Sequence, residues 1–163
     1  MFLRKNNIPL LVVLYSLLLS GCNAVSRKAS YEEIIYPESI ELIDPDNTVD
    51  VERNVKSADE TFDYYFRYWN YQEGATLTIK AIVKPDNSFY QNVIFTKDAQ
   101  NTDFSITTNE TDASLDNGCA RFTLNVMPNP ILSCRFLVNS TNPGVQINVK
   151  ALVVFTTFDN SSK

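Results

Sequence analysis

From Ser39 onward the chain is punctuated at a nearly constant interval. Runs of β-branched and aromatic residues alternate with turn clusters at a spacing of roughly ten residues, which is the pattern of an all-β sandwich or barrel rather than of a sheet with helical crossovers. The candidate strands are Ile40–Ile43, Val49–Val55, Thr61–Tyr71, Ala75–Lys84, Phe89–Thr96, Phe104–Thr108, Ala120–Met127, Leu132–Asn139 and Val145–Phe158. Between them stand Pro45-Asp46-Asn47, Pro85-Asp86-Asn87, Asp116-Asn117-Gly118, Pro128-Asn129-Pro130 and Asn142-Pro143-Gly144. Proline presets φ, glycine and asparagine accept φ > 0, and aspartate bonds its own backbone, so each cluster favours a reversal. The expectation is an antiparallel β-sandwich of seven to nine strands, Ig-like or transthyretin-like.

Several runs show which residues face inward. Leu77, Ile79, Ala81 and Val83 alternate with Thr78 and Lys80; Val145, Ile147, Val149, Ala151, Val153 and Phe155 alternate with Gln146, Asn148 and Lys150. Successive strand side chains point to opposite faces, so each set defines a core face. Near the end of the last run Leu152, Val154 and Phe158 make both faces apolar, which predicts cover on both sides or a partner. Ala120, Phe122, Leu124 and Val126 are followed, after Pro-Asn-Pro, by Leu132, Cys134, Phe136 and Val138. A hairpin centred on Asn129 pairs these sets and turns every apolar residue to one side.

That hairpin bears on the cysteines. Two cysteines beyond the leader invite a Cys119–Cys134 disulfide in an exported protein. In the hairpin register, however, Cys119 lies about 16 Å along from the position opposite Cys134, whereas a bridge needs Cα atoms within about 7 Å. The bridge requires the two strands to lie in different sheets, or a loop that folds back. Otherwise both are separate thiols.

The leader itself is short. Arg4 and Lys5 precede an apolar run from Ile8 to Leu19, which is below the roughly 20 residues of a spanning helix, and Pro9 interrupts it. A charged start, an apolar middle and small residues at the end form a signal peptide. Its last residues, Leu19-Ser20-Gly21-Cys22, resemble the lipobox of bacterial lipoproteins. The resemblance covers residues 1–22 only. It implies removal of residues 1–21, lipidation of the Cys22 thiol with palmitate-type chains, and attachment to a membrane. Asn23, rather than Asp, after that cysteine implies the outer membrane of a Gram-negative host, facing the periplasm; in a Gram-positive host the implied site is the outer face of the cell membrane. Residues 22–30 are small and polar and read as a tether; residues 31–163 form a single domain. Ser30 to Glu33 has the form of a capping box for a helix of about one turn, stopped by Pro37, and Glu32 to Tyr36 reads almost equally well as a strand.

The net charge is −5, and removal of the leader with its two cations makes it more negative. That balance argues against nucleic acid as a partner. The sequence contains no histidine, so the Ser-His-acid and Cys-His arrangements and His-ligated zinc do not apply. Glu110, Asp112 and Asp116 match no calcium-loop spacing, and Asp44 and Asp46 flank a turn proline. The expectations are no enzyme activity, no cofactor and no metal.

One stretch stands apart. In Phe62-Asp63-Tyr64-Tyr65-Phe66-Arg67-Tyr68-Trp69-Asn70-Tyr71, alternation places Phe62, Tyr64, Phe66 and Tyr68 on one face and Tyr65, Arg67, Trp69 and Tyr71 on the other. One face belongs to the core. The other is either covered, or is a contact for a protein partner, where Tyr, Trp and Arg are favoured, or a platform for a sugar ring. The functional expectation is a lipid-anchored interaction or scaffold component of an envelope assembly, such as a secretion, conjugation or pilus apparatus. The alternative is a carbohydrate- or small-ligand-binding module.

Overall fold

The computed structural model describes residues 32–69, 72–90, 92–127, 131–142 and 144–156. Cys22, the leader, the tether, Tyr71, Phe158 and the Pro128–Pro130 turn lie outside them. Nine strands are present among the described residues: β1 (Ser39–Ile43), β2 (Asp50–Ser57), β3 (Glu60–Tyr68), β4 (Thr76–Lys84), β5 (Val93–Lys97), β6 (Phe104–Thr108), β7 (Cys119–Leu124), β8 (Ile131–Ser140) and β9 (Asn148–Thr156). They form a β-sandwich of two open sheets, in the orders β1-β4-β7-β6 and β2-β3-β9-β8-β5.

Setting β2 and β3 aside, β1-β4-β7-β6 against β9-β8-β5 reproduces the A-B-E-D over G-F-C strand order of a constant-type immunoglobulin sandwich. The β2–β3 hairpin is inserted between the first two strands of that scheme and extends the second sheet past β9. β3 runs parallel to β9, with Tyr64 opposite Ala151 and Tyr68 opposite Phe155. The sandwich is therefore antiparallel except at this one pair. The cysteine bridge that joins the second and sixth strands of antibody domains has no counterpart here. Cys134 sits on β8, but β4 contains no cysteine.

The expected alternation holds in β4, where Leu77, Ile79, Ala81 and Val83 are buried between intermediate residues. In β9 the core face (Val149, Ala151, Val153, Phe155) is joined by buried Leu152 and Val154 on the opposite face. Both faces of that strand's end are covered, as its composition implies. β9 begins at Asn148, so Val145 falls in the preceding loop and is exposed; β5 begins at Val93, which leaves Phe89 exposed in the β4–β5 loop.

The expected hairpin between the seventh and eighth strands does not form. β7 pairs with β4 and β6, whereas β8 pairs with β5 and β9. The inward residues still meet, but across the core rather than along a ladder. The rings of Phe122 and Phe136 lie 4.7 Å apart between centroids, and those of Phe104 and Phe155 lie 5.3 Å apart. Facing layers satisfy the same apolar pattern as a hairpin does, and they bury it more completely.

A second departure occurs within β3. The β3–β9 ladder starts at Tyr64. Just before it, the Lys150 backbone N–H donates to the Asp63 carboxylate at 2.8 Å. On the other side Asn54 adopts φ 54° and the Asn54–Asp63 pairing is skipped. The strict alternation is lost here, and Phe62 packs with Leu152, Val154 and Tyr65 instead of with Tyr64 and Phe66. The edges of the two sheets are clipped together by Arg53, which pairs with Glu41 of β1 at 2.6 Å and stands 5.3 Å from the centre of the Tyr64 ring.

Candidate interaction site on the five-stranded sheet

The outward face of β3, with the residue just past its end, carries Tyr65, Arg67 and Trp69 at i, i+2 and i+4. The extended backbone stacks them in one column. The Arg67 guanidinium carbon lies 5.2 Å from the Tyr65 ring centre and 5.8 Å from that of Trp69. Each contact of this kind contributes about 0.5–1 kcal/mol at an accessible site. Neighbouring β2 places Glu52 opposite Tyr65 and Asp50 opposite Arg67. Glu52 reaches the Arg67 guanidinium at 3.6 Å, and the Trp69 indole N–H points at the Asp50 carboxylate at 3.5 Å. All three side chains of the column are half-buried. The structure thus brings together three of the four residues expected on this face; Tyr71 is the fourth.

The column continues toward β9 and β8 as a covered apolar strip flanked by charge. Phe62, Leu152 and Val154 are buried against one another with Tyr65 over them. Glu60 holds both Lys150 and Arg135, the latter at 3.0 Å, and the Lys150 ammonium lies 5.5 Å from the Phe62 ring centre. The hydrogen bond from Lys150, followed by the Arg135 charge, keeps the Glu60 carboxyl below its ordinary range against the opposing effect of burial. Beyond Lys150 is an open hollow of about 290 Å³ with Thr96, Lys97, Arg135 and Leu137 in its wall. Glu52, Glu60, Arg135 and Lys150 were not identifiable from sequence, because only the β2–β3 and β8–β9 registers place them beside the aromatic column.

Cys119 and Cys134 are both free and buried. They do occupy different sheets, the arrangement a bridge required. Their side chains are nevertheless out of phase. Cys134 belongs to the main core with Phe136 and Val138, whereas Cys119 precedes the core-facing Ala120, Phe122 and Leu124 and is not part of that cluster. Burial pushes the Cys134 thiol up to about 11 and raises that of Cys119 as well. Neither is poised as a thiolate nucleophile.

Three of the acidic residues singled out in the turns, Asp44, Asp112 and Glu110, have local partners. The Asp44 carboxylate accepts hydrogen bonds from the backbone N–H groups of Asp46 and Val49 at 2.9 Å each, and from Thr48. Asp112 accepts from the Ser114 N–H at 2.9 Å and pairs with Arg121 at 3.0 Å; the Ser114 hydroxyl first, then its N–H, and only after them Arg121 hold the Asp112 carboxyl below its ordinary range. Glu110 accepts from the Asn92 side chain at 3.1 Å. Among the described residues, no three ligating side chains cluster in a manner that would hold a metal ion.

Comparison of the chain with family models, with curated proteins and with solved structures finds no match in any of the three.

Proposed function

We propose that this chain is a non-enzymatic, lipid-anchored scaffold protein of a bacterial envelope assembly, held at the outer membrane through Cys22 and contacting protein partners through the outer face of the five-stranded sheet. The observation that carries this reading is the preorganised Tyr65–Arg67–Trp69 column with its acidic neighbours on β2. Tyr, Trp and Arg are the residues whose truncation costs most at protein interfaces, and side chains already stacked on one another lose less entropy when a partner closes over them. Arg67 stands over both rings, which weighs against a sugar platform, since that use requires a free aromatic face. The lipobox supports the anchor, and a short tether keeps the sandwich near the membrane that holds its partners.

The experiment is purification of the mature lipoprotein from its native membrane under mild crosslinking, for the natural chain and for Arg67→Glu. A reproducible set of envelope proteins with the natural chain, lost or depleted with Arg67→Glu while that variant still unfolds in one cooperative transition, is the expected result. A lone monomer at every crosslinker length contradicts the proposal. So does a partner set indifferent to Arg67.

A further inference from the structure

The end of the sandwich at which the chain enters the domain is apolar on its outside; a second exposed set, Val126, Met127 and Ile131, lies at the opposite end. Ile34, Ile35 and Tyr36, ahead of β1, are 58%, 38% and 47% exposed; Phe89 of the β4–β5 loop is 53% exposed and Val145 of the β8–β9 loop 36%. These residues come from three separate segments that are fastened together. The Phe89 N–H donates to the Ile35 carbonyl at 2.7 Å. The Asn142 side-chain amide donates to the Phe89 carbonyl at 2.6 Å. The Tyr36 ring lies against Gly144, 3.3 Å from where a Cβ would stand. An apolar surface assembled from three held segments is a built feature rather than scattered exposure.

We propose that this end docks on the lipid bilayer, so that the sandwich stands end-on upon the membrane that carries its anchor. The inference rests on the lipidation of Cys22 proposed above. The occupant follows from where the chain leaves the domain. Residues 22 to 34 span at most ~40 Å when fully extended, so the surface around Ile34 is the part of the domain kept nearest the lipid. Isoleucine, phenylalanine and tyrosine suit the headgroup boundary, where an aromatic ring meets acyl chain on one side and water on the other. Near the entry Arg27 and Lys28 are outnumbered by Glu32, Glu33 and Glu38, which suits a zwitterionic surface rather than an anionic one. End-on docking also turns the outer faces of both sheets sideways, leaving the Arg67 column free for proteins.

The structure supplies an internal control. β3 runs parallel to β9, with Tyr68 opposite Phe155 near that strand's end. Trp69, the only tryptophan, is therefore at the end of the sandwich away from Phe89 and Val145. The test uses the mature lipidated protein in phosphatidylcholine vesicles with brominated acyl chains, comparing the natural chain with Trp69→Phe/Phe89→Trp. The indole at position 89 is expected to lose emission about twofold, as for a ring at the acyl boundary, while Trp69 of the natural chain is unaffected. Should the Phe89 variant fold poorly, Trp69→Phe/Val145→Trp reports on the same surface. A protein that floats with the vesicles but shows no quenching at position 89 overturns the docking and leaves the anchor standing. Quenching of both indoles overturns the end-on orientation. A protein that does not float at all removes the anchor, and the docking with it.

Discussion

Gly118 and Gly74 share a backbone conformation but not an environment, which makes them a matched pair for testing the packing of the four-stranded sheet. Their φ angles are +79° and +83°, in the left-handed region. A side chain in that region costs about 1–2 kcal/mol, and the reduced freedom of the unfolded alanine chain returns about 0.4–1 kcal/mol. Gly74→Ala, with nothing within 4 Å of the new Cβ, should therefore lose about 1 kcal/mol. At Gly118 the Cβ would stand 2.9 Å from the Ala81 carbonyl oxygen. That oxygen belongs to β4, and the Ala81 N–H donates to Gly118 O at 2.8 Å. The strand and the turn cannot separate without breaking this bond, so overpacking adds about 1–3 kcal/mol. Gly118→Ala should lose about 2–4 kcal/mol in all. Equilibrium urea unfolding, followed by far-ultraviolet circular dichroism, reads both values from the midpoint at constant slope. Equal losses at the two positions would refute the close approach of β4 to the turn before β7, and with it the β4–β7 register.

Two further outcomes follow from the chemistry of buried and paired groups. Cys119 and Cys134 should resist a thiol reagent at about pH 8 in the native protein and both react once it is unfolded, and a reductant should leave the unfolding midpoint unchanged; a midpoint that drops under reductant would reinstate a bridge. The Glu60 carboxyl is depressed below its usual value of 4.5 by Lys150 and Arg135, so its contribution to stability is present above that value and is lost as pH falls through the lower, folded one. Glu60→Gln should accordingly flatten the decline of stability between about pH 5 and pH 3, and an unchanged decline would show that the pair with Lys150 and Arg135 is not held in solution.

What was legible in the sequence was direction rather than layer. Period-2 alternation identified the core face throughout Thr76–Lys84 and, in Val145–Phe158, from Val149 to Phe155, because each strand reports its own inward side; Val145, placed on that face, is an exposed loop residue. Alternation does not say whether the surface opposite is a neighbouring strand or the facing sheet. Phe122 and Phe136 were matched correctly as neighbours, but in a hairpin, when they meet across the sandwich. The parallel β3–β9 pairing joins residues far apart in the chain, and no local pattern encodes it. Phe62 was assigned to the core face because alternation assumes an unbroken ladder, and the Asp63 carboxylate replaces one ladder bond. For the candidate site, the i, i+2, i+4 spacing placed Tyr65, Arg67 and Trp69 in one column. The acidic residues that face Arg67 depend on the β2–β3 register, and so became visible only with the fold.

The proposed function puts the binding of an envelope partner on the outer face of β3, in a domain anchored through Cys22. Its most direct measurement places a photo-crosslinking residue at position 65 in the cell and identifies the adducts by mass, with and without Cys22→Ser. One or a few envelope proteins are expected joined to position 65, with the adducts lost when Cys22 is replaced. Adducts absent from position 65 while controls on the four-stranded sheet capture the same proteins would contradict it, as would adducts that persist unchanged without Cys22.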